Sequence, residues 1–165
     1  MGLISRLLER LSPAGLRLDE PDAWDVTGTG DVERFLRAIC LLAPPGSFAY
    51  FEATGEPHVA EYLRGVSVPA PVHVAVGTIW PRPDTYHVPV TAQAMEAMAA
   101  FLESNPAGFF CAHCHLHDGA SVLLQWHDAF GAHPDPMRVS RRVGEEAVRA
   151  FSAALGSSYA PGDAG

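Results

Sequence analysis

The residues able to do chemistry crowd into one short stretch. Phe110 to His117 reads Phe-Cys-Ala-His-Cys-His-Leu-His, and His127 follows ten residues later. Residues two apart on a strand share a face. His113 and His115 on such a strand can turn both imidazoles toward one ion. Cys111 or His127 would supply a third donor and leave one position for water, the pattern of a catalytic zinc site. The candidate metal set is therefore Cys111, His113, His115 and His127, for zinc or another transition metal.

Cys111 and Cys114 have Cys-x-x-Cys spacing, but a strand denies them a joint role. Three residues of strand span about 10 Å and the two side chains leave opposite faces. A disulfide needs Cα atoms within about 7 Å. No second such pair exists to complete a four-cysteine site. Cys40 sits on the apolar face of a helical pattern and reads as a small core residue.

His113-x-His115-x-His117 resembles the His-x-His-x-His signature of the histidine-triad nucleotide hydrolases. That resemblance implies nucleophilic attack on phosphorus by the middle histidine, His115. It covers five residues, and it departs from the family pattern where Asp118-Gly119 turns the chain back. Asp128 and Glu52 are further carboxylates without an identifiable partner. Met95 and Met98 read as core. No Gly-x-Ser-x-Gly, Gly-x-Gly-x-x-Gly or His-Glu-x-x-His occurs.

The elements that would position these groups follow from periodicity. A three-residue turn, His117-Asp118-Gly119, predicts a hairpin pairing Leu116 with Ala120, Cys114 with Val122, Ala112 with Leu124 and Phe110 with Trp126. That register sends Phe110, Ala112, Cys114, Leu116, Val122, Leu124 and Trp126 to the core. Cys111, His113 and His115 take the other face, with His127 diagonal to Cys111.

Upstream, Leu3, Ile4, Leu7, Leu8 and Leu11 recur at helical spacing. A loose acidic segment from Leu18 to Thr29 follows. Val32, Phe35, Leu36 and Ile39 mark a second helix, capped by Asp31. Strands are expected at 48–53, 72–78 and 85–88, with helices at His58–Arg64, after Pro57, and downstream of the Thr91 cap. A short extended piece from Met137 and a helix bearing Val148, Phe151 and Leu155 complete the chain, with a frayed tail from Gly156. The fold class expected is α+β: a ferredoxin-like, split βαβ antiparallel sheet with an added C-terminal hairpin strand and helix, plus two N-terminal helices. One domain spans 1–165, with a helical extension at 1–45, a core at 46–156 and a flexible tail at 157–165.

Composition narrows the function classes. The 165-residue chain carries a net charge of −8 and is 48% hydrophobic. All eleven basic residues are arginine. The missing lysine excludes a P-loop lysine, a Schiff base and a Ser–Lys dyad within this chain. The acidic balance argues against nucleic acid, and Arg138, Arg141 and Arg142 read as a solvated strand end. No apolar run reaches the roughly 20 residues of a membrane span. Arg6, Glu9 and Arg10 break the apolar stretch a signal peptide would need, so a cytoplasmic location is expected. The first expectation is a small acidic binding or accessory module of immunity type, docking a protein partner on the open sheet face, with neither cofactor nor catalysis. The alternative is a metal-dependent enzyme built on the histidine-rich strand face.

Overall fold

The computed structural model describes residues 15–52, 54–75, 77–78, 83–130 and 133–162. The helix expected over Leu3–Leu11 lies outside them. Among the described residues the fold is α+β: an open antiparallel sheet of seven strands with four helices. In chain order these are β1 (Trp24–Val26), α1 (Val32–Ile39), β2 (Phe48–Glu52), α2 (Pro57–Val66), β3 (Thr85–Pro89), α3 (Ala92–Ser104), β4 (His113–His117), β5 (Val122–Trp126), β6 (Met137–Val139), α4 (Glu145–Leu155) and β7 (Tyr159–Pro161). The strand order is β3-β2-β4-β5-β6-β1-β7. Among the described residues no helix is long and apolar enough to cross a membrane.

The helices begin where their caps dictate. Asp31 accepts from the Arg34 amide at 2.9 Å and Thr91 accepts from the Ala94 amide at 3.0 Å. Each satisfies one of the orphan amides of a first turn. Pro57 opens α2, where no amide is missed. Phe35, Leu36 and Ile39 of α1, Met95, Met98 and Leu102 of α3, and Val148, Phe151 and Leu155 of α4 are all buried against one sheet face. That face carries Phe51, Cys114, Leu116, Leu124, Trp126, Met137 and Val139. Phe35 is the hub, its ring 5.1 Å from Trp126 and 5.3 Å from Phe130.

Several expectations are corrected. Val72–Thr78 is not a strand: Val74 makes a single parallel bridge to Leu16, and the segment lies over the sheet instead of joining it. The amides of Gly77 and Thr78 go to a carboxylate, not to a ladder. The acidic segment contains β1, which β6 and β7 flank. The tail therefore carries a paired strand, Tyr159–Pro161.

The hairpin register also differs. Cys114 pairs with Trp126, Leu116 with Leu124 and His117 with Val122. Asp118 explains it, because its Oδ1 accepts from the amides of Ala120 and Ser121 at 2.9 and 2.7 Å and extends the turn to four residues. Gly119, at φ 88°, takes the left-handed position expected of it. A bulge then makes Leu123 the extra residue, so Leu123 joins the main core and Val122 packs with Leu18 and Ala23 on the opposite side. The shift elsewhere is even-numbered, so His113 and His115 keep the face assigned to them.

Candidate functional site

The non-helical face of the sheet carries one polar row across all seven strands. Register sets His87, Tyr50, His115, Gln125, Arg138, Asp25 and Ala160 side by side. Thr85, Glu52 and His113 form the next row. The middle of this face is covered: Leu16 bridges to Val74, and the Leu18 amide donates to Gln125 Oε1 at 3.0 Å. Glu52 is 0% exposed, His115 1% and His113 9%, whereas Thr85, Asp25, Arg138 and Ala160 stay open to solvent in part or in full.

Glu52 anchors the site. Its Oε2 accepts from Tyr50 Oη at 2.9 Å and from the Gly77 amide at 3.0 Å, and its Oε1 accepts from the Thr78 amide. The burial of Tyr50 and the neighbouring carboxylate push its phenol far up, so it stays a donor. Glu52 Oε1 stands 4.0 Å from His113 Nε2. Gly77 makes this possible. A Cβ there would lie 2.7 Å from His113 Cδ2 and 2.9 Å from its Nε2, so only glycine lets the covering segment pass the ring.

His113 Nδ1 meets His127 Nδ1 at 3.1 Å, with the rings edge to face. A sharp backbone aims His127. Asp128 at φ 46° and Phe130 at φ 59° are both left-handed, and the Ala129 amide returns to Ala112 O at 2.9 Å. Asp tolerates that conformation, whereas a bulky Phe holds it only because the surroundings impose it. His127 is half-buried and lines a cleft of about 500 Å³ together with Asp25, Gln125, Asp135 and Arg138. Burial and the His113 imidazole lower its pKa.

His115 sits between these rings, 5.5 Å from His127 and 5.4 Å from Tyr50. Both its nitrogens are buried without a hydrogen-bond partner among the described residues. Burial first, then the imidazoles of His127, His113 and His117, depress its pKa to about 3. Leaving such groups unsatisfied costs about 1–3 kcal/mol each.

Of the four candidate ligands, the fold brings His113, His115 and His127 together. Cys111 is instead fully buried within the apolar core, its thiol pushed well up by burial, then by Cys114 and Glu52. Cys111 precedes β4, where strand alternation no longer governs its direction. Cys111 and Cys114 are both free thiols. Among the described residues no three His, Cys, Asp or Glu side chains already converge as a metal site. Sequence reasoning left Glu52 without a partner and overlooked Tyr50, Gly77 and His87. The pairing of β2 with both β3 and β4 would have revealed them, and no local pattern encodes that pairing. The chain matches no protein-family model, no curated protein and no solved structure, so its function has to be read from this site.

Proposed function

We propose that the protein is a metal-dependent enzyme holding a zinc-class ion on His113 and His127, with His115 as the third imidazole. One observation carries this reading: the two Nδ1 atoms face each other at 3.1 Å. Two nitrogens about 2.0–2.1 Å from one tetrahedral zinc stand about 3.3 Å apart, so the pair has the length of a coordination edge. Ligation through Nδ1 would leave the one ring proton of His113 on Nε2, facing Glu52 Oε1 at 4.0 Å. A carboxylate behind a liganding imidazole is the usual support of such centres. With the His113 proton on Nε2, its Nδ1 would accept from His127 Nδ1–H in the metal-free protein; an ion held on both Nδ1 atoms would require the His127 proton on Nε2. Three imidazoles would leave one position for water, and His127, the one of the three that lines the cleft, would connect it to solvent, which suits hydrolytic chemistry.

The accessory-module reading rests on composition alone, and the middle of the sheet face it would use is covered. The free thiols of Cys40, Cys111 and Cys114 support a cytoplasmic location. We further read β2, α2, β3, α3 and β4 as a split βαβ, ferredoxin-like unit, with the antiparallel Val68–His87 bridge marking its outer strand.

The test is titration of chelator-treated protein with Zn²⁺ and Co²⁺, followed by calorimetry and by the visible spectrum of the cobalt form. One equivalent with a tetrahedral cobalt spectrum is expected. His113→Ala and His127→Ala should each abolish it, and Glu52→Gln should weaken it about 10–100-fold. Absence of stoichiometric binding, or binding indifferent to both histidine changes, overturns the reading.

A further inference from the structure

A second histidine pair lies outside the proposed metal set, and its hydrogen bonds have a fixed direction. The Gly119 amide donates to His117 Nδ1 at 3.2 Å. That nitrogen is therefore bare, and in a neutral imidazole the proton must sit on Nε2. His117 Nε2 lies 3.1 Å from His87 Nδ1, so it donates there. His87 Nδ1 is then the acceptor, and His87 carries its own proton on Nε2. The reverse order would set the Gly119 amide against an N–H. A bare Nδ1 on His117 and an accepting Nδ1 on His87 leave each ring with a single proton. Phe48 stacks on His117 at 5.5 Å and Tyr50 meets His87 edge-on at 5.2 Å, which locks both rings.

Among the described residues only Nδ1 of His87 is hydrogen-bonded, and the ring lines a cavity of about 440 Å³. The remaining walls are Tyr50, residues 70–74, Pro83 and Thr85. Among them are the apolar side chains of Ala70, Pro71, Val72, Val74 and Pro83, with His73 at the rim. In a chain of net charge −8, no carboxylate and no arginine among the described residues lines this cavity.

We propose that this cavity binds a small carboxylate with an apolar tail, one carboxylate oxygen accepting from His87 Nε2–H. The fixed donor offers a hydrogen bond to a ligand acceptor in the cavity. The absence of acidic walls admits an anion. A single donor, with no arginine or cluster of amides among the described residues, suits a singly charged carboxylate over a phosphate. The side chains of Pro71, Val72 and Pro83 take the tail. This site stands apart from the metal reading and does not depend on it.

The test uses ¹⁵N-histidine-labelled full-length protein in chelator, which keeps it independent of any ion. Long-range imidazole spectra should place the proton of both His117 and His87 on Nε2. Butyrate or benzoate should then shift the His87 Nε2 signal saturably, and inorganic phosphate should not. His87→Phe should weaken butyrate binding at least tenfold, the loss of one charge-assisted hydrogen bond. His87→Gln, which keeps a donor on a smaller change, should retain part of it. A His87 proton on Nδ1, no saturable shift at 50 mM butyrate, equal binding of phosphate, or full binding by a folded His87→Phe protein would each overturn the proposal.

Discussion

Acidification should unfold this protein through its buried imidazoles. His115 and His117 are 1% and 0% exposed and are held at about 3 and about 4. An unfolded histidine titrates near 6.5. The folded values are depressed, so the unfolded chain binds more protons between the two limits. Their contribution is complete above about pH 6.5 and is lost as pH falls toward the folded values. Between pH 7 and pH 5 each group withdraws about 2 kcal/mol, or about 4 kcal/mol together. The local slope near pH 5 is about 2.5 kcal/mol per pH unit. A domain typically has 5–15 kcal/mol in all, so the effect is large. Most carboxylates titrate below this window, which isolates the imidazoles. His87 and His127 are lowered too and act in the same direction. The assay is urea unfolding at half-unit steps from pH 7 to pH 5 in chelator. His115→Leu supplies the control. It removes one of these groups and should lower the slope by about 1.3 kcal/mol per pH unit, and it should raise stability at pH 5, because two unpartnered nitrogens leave the interior. Stability constant within 1 kcal/mol across the window, or an unchanged slope in the variant, would refute the reasoning.

Two further outcomes are expected. Gly77→Ala should destabilise by about 1–3 kcal/mol, because the new methyl meets the buried His113 ring at 2.7 Å and neither the ring nor the segment can yield freely. Thermal melts should drop by about 2–4 °C per kcal/mol, with Zn²⁺ affinity falling in parallel; a melt within 1 °C of the parent would count against the close approach. Native protein treated with iodoacetamide should be alkylated at half-buried Cys40 and spared at Cys111 and Cys114, whose thiols burial holds protonated and covered. Modification of the latter pair without denaturant would contradict their placement in the core.

Local chemistry was legible in the chain itself. Asp31 and Thr91 announce α1 and α3 because a cap acts within three residues. Strand alternation puts His113 and His115 on one face whatever they pair with, since parity survives an even register shift. The three-residue turn failed because Asp118 reached two amides farther on, and the bulge at Leu123 then exchanged the sides of Val122 and Leu123. Cys111 was misplaced because it lies just before β4, where alternation stops. What makes a site of these residues is non-local. Glu52 comes from 61 positions before His113, and it is held by amides of Gly77 and Thr78 from a segment that reads as a strand but serves as a cover. His87 reaches His117 because β2 takes β3 on one edge and β4 on the other. Periodicity records which face a side chain takes. Which strand lies beside it, and what closes over it, is decided by the packing of the whole chain.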